Sequence, residues 1–168
     1  VDLQQSQLAQ LMAGGLVALS EAGAQLVGGH TGESEALGIG YAVTGWREGP
    51  PNIPLDGDNP VLVLTKPLGI GVVMAGHMKL AARGAWVTAA ADMMARGNGL
   101  AAATLAPHRP VMTDVTGFGL ARHAMNLAER CGMQGIEIDL AALPLLDGAK
   151  ALLEAGHRST LHLSLIHI

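Results

Sequence analysis

Apolar positions along this chain follow two spacings, one typical of helices and one typical of short buried strands. The helical spacing predicts helices over roughly residues 3–22, 72–83, 120–130 and 147–155, and two helical pieces within 85–105. Short aliphatic runs predict strands at 24–27, 36–45, 61–65, 111–113 and 135–139. Strands that alternate with helices in this way indicate an α/β or α+β fold.

One break in composition interrupts the pattern, from Arg47 to Pro60, where four prolines stand among glycine and aspartate. Such a stretch is typical of a linker or crossover, so we expect a first domain over residues 1–56 and a second over 57–162. Residues 163–168 carry no turn, cap or charge that would close a domain. We expect this tail to be foreign to the fold.

The composition of the chain argues against some classes of protein and favours others. The chain is 49% hydrophobic and 14% charged, with a net charge of −4 and no basic block, which argues against a nucleic-acid partner. No apolar run reaches the roughly 18 residues that a membrane span requires. The single cysteine, Cys131, excludes an internal disulfide and is typical of a reducing compartment, so we expect a cytoplasmic protein.

The segment from Met112 to Leu120 is the strongest candidate for chemistry. It places Asp114 between a predicted strand and the N-terminus of a predicted helix, where backbone N–H groups and the helix dipole attract phosphate. Magnesium prefers a few carboxylate oxygens together with water and phosphate oxygens, so Asp114 could form part of such a site. The alternative is that Asp114 and Thr116 only satisfy turn and cap hydrogen bonds.

Two further loops could meet a phosphate. Gly28, Gly29 and His30 follow a predicted strand, and their small residues could bring bare amides close to an anion, although the same pattern also makes an ordinary turn. Lys66 precedes a glycine-rich turn and a helix, but without the spacing of a Walker loop. Lys66 could therefore reach a phosphate or simply be a solvated lysine.

Three of these segments together resemble one enzyme family, selenophosphate synthetase (selenide, water dikinase). They are Leu-Val-Gly-Gly-His-Thr at 26–31, Leu-Thr-Lys-Pro-Leu-Gly-Ile-Gly at 64–71 and Met-Thr-Asp-Val-Thr-Gly-Phe-Gly-Leu at 112–120. Each motif alone has counterparts in a superfamily that includes aminoimidazole ribonucleotide synthetase and thiamine-monophosphate kinase. Their order and separation are specific to the selenium enzyme.

The resemblance implies a two-domain architecture like that of aminoimidazole ribonucleotide synthetase, with the N-terminal domain partial, and a homodimer formed through N-terminal sheets. It implies a reaction that converts ATP, selenide and water into selenophosphate, AMP and phosphate, with Mg2+ as cofactor.

By position, the resemblance assigns Asp114 to Mg2+, and Gly28, Gly29 and His30 to ATP. The supporting residues that it implies are Thr31, Thr113 and Thr116. Lys66 stays open, and His123 either belongs to the site or is a packed helix residue.

The chain also departs from the family pattern. The family's reactive cysteine or selenocysteine, with its neighbouring lysine, is expected upstream of the first helix, and a further motif is expected after Leu161. We therefore expect a fragment that lacks both ends, contains no catalytic residue and does not turn over. The alternatives are another ATP-dependent kinase or synthetase of the superfamily, or a non-catalytic nucleotide-binding remnant.

Overall fold

The chain divides into two units, Val1–Gly49 and Pro50–Ile168. The computed structural model describes residues 4–35, 37–46, 49–54 and 59–159. The division falls within the proline-rich stretch. The domain boundary predicted at residue 56 and the tail at 163–168 lie outside the described residues.

The first unit contains one helix, α1, over Gln5–Glu21. It begins where the Gln4 amide donates to Oε1 of Gln7 at 3.0 Å. It ends at Gly23, whose φ of 65° is the left-handed conformation that glycine adopts at helix C-termini. The helix predicted to end at Gly23 is therefore confirmed over the described residues.

Packing in the first unit is sparse. Gly15 lies directly against the Tyr41 side chain, so a side chain at position 15 would collide with the ring. The glycine within α1 thus permits a close approach. No described residue of this unit is buried, and Leu16 remains 49% exposed. Helical periodicity has formed a helix here without forming a core.

The second unit contains the remaining helices. They are α2 Ile70–Met78, α3 Gly84–Ala95, α4 Gly99–Leu105, α5 Gly119–Arg130 and α6 Ala149–Glu154, with 3-10 turns at Ala106–His108 and Leu140–Ala142. The two pieces predicted within 85–105 are confirmed as α3 and α4. Helix α2 ends before the predicted residue 83, because Leu80 turns left-handed (φ 57°) and the Ala81 amide donates back to the Gly76 carbonyl at 2.8 Å.

A core forms where α2 packs against α3 and α6. Its buried residues are Val73, Ala90, Leu146, Ala149 and Leu152. Glycines allow this close approach: Gly148, with a φ of 78°, lies directly under the Trp86 ring. The burial of aliphatic side chains between three short helices is the main stabilising term of this unit.

The predicted strands are not formed in the part of the chain that the structure describes. The β pairing there is one isolated parallel bridge between Leu68 and Leu145. Val27 and Val61, which the pattern placed in strands, are 93% and 81% exposed. A strand requires a neighbouring strand for its ladder hydrogen bonds, and an aliphatic run cannot supply that neighbour itself. The helical part of the fold prediction is confirmed, and the two-domain architecture stays a prediction.

None of the helices in the described residues is long and apolar enough to cross a membrane.

Candidate functional site

The predicted metal loop is an exposed connection that leads into α5. Asp114 is exposed, and within the described residues its carboxylate has no hydrogen bond or ion pair. Its backbone carbonyl accepts a hydrogen bond from the Thr113 hydroxyl at 3.2 Å. The carboxylate oxygens are therefore accessible to a ligand, while the adjacent backbone is held locally.

Helix α5 begins without a side-chain cap. Its N-cap residue is Phe118, and no side chain accepts from the first turn. The turn before it is closed by the Gly119 amide, which donates to the Thr116 carbonyl at 2.9 Å, with Gly119 at a φ of 77°. The alternative for Asp114 and Thr116 holds in part: the Thr116 carbonyl accepts a turn hydrogen bond, while neither side chain caps α5.

His123 contacts the loop from the first turns of α5. Its Nε2 lies 3.2 Å from the Thr116 amide nitrogen and 3.2 Å from the Thr116 hydroxyl. The rings of His123 and Phe118 are 6.4 Å apart and inclined by 48°. His123 is thus a contact residue of the predicted loop as well as a partly buried residue of the helix.

A second contact comes from the far end of α5, where Nη1 of Arg130 donates to the Met112 carbonyl at 3.2 Å. Sequence reasoning did not identify this residue. The available signal was spacing: His123 and Arg130 are seven residues apart, which places both on one face of a helix.

The Gly28–Thr31 segment is exposed and has no helical structure. No atom of another segment lies within 4 Å of the position that a side chain would occupy at Gly28 or Gly29. A phosphate could approach these amides without steric obstruction. The structure describes no ligand contact here, so the assignment of Gly28, Gly29, His30 and Thr31 to ATP stays a prediction.

Lys66 is occupied by a structural contact. Its ammonium donates to the carbonyl of Arg96, the residue that ends α3. Cations near helix C-termini are stabilised by the carbonyl groups that the helix leaves unpaired. This contact uses one of the three N–H donors of the ammonium, which leaves two that could meet a phosphate.

The described residues do not form a complete magnesium site. No group of three or more His, Cys, Asp or Glu side chains with metal-binding geometry occurs among them. Asp114 therefore fits Mg2+ as one ligand, with the other oxygens coming from water, phosphate or other carboxylates.

Two open grooves are lined by residues other than the predicted site residues. One, of about 310 Å3, is lined by Gln7, Gln10, Leu11 and Leu37. The other, of about 420 Å3, is lined by Asn52, Ile53, Pro54, Asn59 and Pro60. Neither groove includes a residue that the sequence assigned to ATP or Mg2+.

Three curated proteins with similar sequences share one name. A selenide, water dikinase of Geobacter metallireducens is 42% identical over 155 residues, which cover 89% of this chain and 44% of the relative. Those of Nitratidesulfovibrio vulgaris and Citrifermentans bemidjiense are each 37% identical, covering 96% and 92% of this chain and 48% and 46% of the relatives.

The chain thus spans about half the length of the curated relatives that it matches. No family model and no solved structure matches it. The resemblance drawn from the three motifs is confirmed over most of the chain, and the relatives' printed name describes a kinase-type enzyme.

Proposed function

We propose that this chain, similar over most of its length to the selenide, water dikinases, forms part of an enzyme that makes selenophosphate. The proposed reaction consumes ATP, selenide and water and releases selenophosphate, AMP and phosphate. The observation that carries the proposal is an identity of 37–42% to proteins of that name over 89–96% of this chain.

The proposed ATP contacts are the amides of Gly28 and Gly29 together with His30, with Thr31 in support. Their support is steric, because the two glycines stand clear of neighbouring atoms. Unhindered amides can donate to phosphate oxygens, and this is a recurring mode of phosphate recognition. Phosphoryl transfer depends mainly on positioning and on neutralising charge, so such donors suit the proposed chemistry.

The proposed magnesium ligand is Asp114, with Thr113 and Thr116 in support. Its carboxylate is exposed and free of hydrogen bonds among the described residues, which leaves both oxygens available. Bound Mg2+ would neutralise charge on the phosphates of ATP. The chain's own contribution is to hold the Asp114 backbone in front of α5, while the carboxylate stays free.

We further propose a cytoplasmic homodimer. The exposed apolar side chains of the first unit, among them Leu16 and Val27, support an additional covering surface. A single cysteine supports a reducing compartment. Sedimentation velocity over a hundredfold range of concentration tests the dimer, which predicts a rise in the sedimentation coefficient with concentration.

Another kinase or synthetase of the same superfamily, or a nucleotide-binding remnant, is the rival function. The similarity argues against another kinase or synthetase of the superfamily. Two of the relatives named above, 42% and 37% identical to this chain, are both named selenide, water dikinase. Only an activity that depends on selenide separates the proposal from both rivals.

Nucleotide binding can be tested on the chain itself by thermal unfolding with and without ATP and Mg2+. A ligand at 100 times its Kd stabilises the native state by about 2.7 kcal/mol. The shift in Tm should be lost in Asp114→Asn and kept in Asp92→Asn, a matched change at an exposed carboxylate on α3. Equal shifts in the two variants would refute Asp114 as the ligand.

The reaction itself is tested on the longest open reading frame that includes this chain in its source DNA. The expressed product should release AMP from ATP only when selenide is present. Release of ADP without AMP, or release of AMP that does not require selenide, would favour the rival kinases.

A further inference from the structure

Helix α5 holds both ends of the segment that carries Asp114. Arg130 binds the Met112 carbonyl at one end, and His123 binds Thr116 at the other. Asp114 lies midway between these two points. Its backbone is therefore restrained from both sides while its carboxylate remains free.

The geometry also assigns the tautomer of His123. A backbone N–H can only donate, so the contact from the Thr116 amide requires an unprotonated Nε2 with a free lone pair. The ring proton then resides on Nδ1. Nε2 has a single lone pair in this tautomer, so the amide and the hydroxyl of Thr116 share it in a three-centre contact.

Both contacts come from α5, so the helix fixes the spacing of the two residues that bind the loop. Residues 123 and 130 are seven positions apart, so they project from one face of the helix about 10 Å apart along its axis. Ala124 and Ala128, between them, are buried. The spacing of the two residues that bind the loop is consequently set by the helix backbone.

We propose that His123 and Arg130 are positioning residues that form a clamp on the Asp114 loop. Neither residue needs to touch substrate or metal. Their role is to restrict the positions that the Asp114 carboxylate can occupy, so that a ligand binding there does not have to order the loop. The functional part of this inference rests on the magnesium site proposed above.

The clamp is tested by amide hydrogen exchange in the isotopically labelled 168-residue chain. In His123→Ala, the Thr116 amide should exchange at least fivefold faster than in the wild type, because its acceptor is gone. His123→Gln should recover part of the protection, since the amide oxygen of glutamine can stand in for Nε2. The Ala128 amide, within α5, should keep its wild-type rate in both variants.

Arginine variants on the same helix provide a matched pair. Arg130→Met should shift the carbonyl carbon resonance of Met112, because that carbonyl loses its donor, whereas Arg122→Met, at an exposed position without a contact among the described residues, should leave it unchanged. Unchanged exchange at Thr116 in His123→Ala would overturn the clamp. An equal acceleration of loop and helix amides would also overturn it, because that result indicates general destabilisation.

Positioning of the carboxylate is tested by adding Mn2+ together with ATP. Bound Mn2+ broadens the NMR resonances of nearby amides. The wild type should show selective broadening of the Val115 amide, and His123→Ala should need at least a threefold higher Mn2+ concentration for the same effect. Wild-type broadening in His123→Ala would overturn the positioning role. If the wild type and Asp114→Asn both show none, the magnesium site fails, whereas the exchange rates still decide the clamp.

Discussion

The first unit of this chain has no buried apolar side chain among its described residues, whereas the second buries a cluster of them between helices. In the first unit, Leu16 on α1 is half exposed, and no described residue is buried. In the second, Val73 and Leu152 are buried where α2 packs against α3 and α6. The same aliphatic periodicity is present in both.

The difference shows that a helical pattern specifies a helix more directly than it specifies a core. Burial requires that several apolar surfaces meet, and each buried side chain adds about 1.5–3 kcal/mol. The second unit supplies three such surfaces, two from the consecutive helices α2 and α3 and one from α6, which follows much later in the chain. The free energy of unfolding should therefore depend mainly on the second unit.

The largest expected effect is at Leu152. Leu152→Ala removes a buried side chain that fills the space beside Gly76 and should lower the free energy of unfolding by about 3 kcal/mol. Urea unfolding followed by circular dichroism measures this loss. The neighbouring Leu153→Ala, at an exposed position, is the control and should cost well under half as much. Equal losses would mean that the core does not lie at Leu152.

A somewhat smaller effect is expected at Gly148. Gly148→Ala both strains a left-handed residue and forces a methyl group into the Trp86 ring, for a loss of about 2 kcal/mol. Gly132→Ala has a similar φ of 68° but no neighbouring atom within 4 Å, so it isolates the backbone cost at about 1 kcal/mol. The cost of the ring contact is the difference between these two losses, about 1 kcal/mol, and it should appear as a lower urea midpoint for Gly148→Ala than for Gly132→Ala. Identical midpoints would exclude the ring contact.

A gain in stability is expected at Leu80. This residue is 92% exposed and left-handed, which costs a non-glycine residue roughly 1–2 kcal/mol. Leu80→Gly removes that strain, while the greater freedom of glycine in the unfolded chain offsets part of it, for a net gain of about 0.5–1 kcal/mol. Lys79→Gly, at a φ of −96°, has no strain to relieve and should destabilise. A loss at both positions would contradict this explanation.

The smallest effect is expected in the first unit. Leu16→Ala should change the free energy of unfolding by less than about 0.5 kcal/mol, because this side chain is already 49% exposed and no described residue of its unit is buried. This value applies to the chain at low concentration. At concentrations where the proposed homodimer forms over α1, the cost should rise, because binding partners contribute to apparent stability by mass action. A large, concentration-independent cost would contradict the comparison between the units.

Local chemistry allowed the helices and the loops to be predicted. The end of α1 at Gly23 and the start of α5 next to Asp114 follow from glycines and apolar spacing within a few residues. The prediction of strands was wrong for a physical reason. Segments such as 61–65 have the composition of strands, but a ladder needs hydrogen-bonding partners that are distant in sequence, and composition does not specify them.

The candidate site was also only partly predictable. Asp114 and Gly28–His30 could be proposed from residue type and neighbourhood, and the similarity to dikinases supports the family that they indicated. The contact of Arg130 with Met112 could not be predicted from the sequence, because it joins residues 18 apart and depends on the loop returning along one face of α5. Lys66 shows the reverse case, in which a residue suited to phosphate contacts a helix end.

The sequence by itself determined the positions of the helices, the glycine-bounded turns and the resemblance to selenide, water dikinases, because these depend on local spacing and residue type. The tertiary structure alone decided which apolar surfaces are buried, that Trp86 covers Gly148, and that α5 holds the Asp114 loop at two points. These features depend on which distant segments meet. Packing and hydrogen bonding between distant segments act only once the chain has folded.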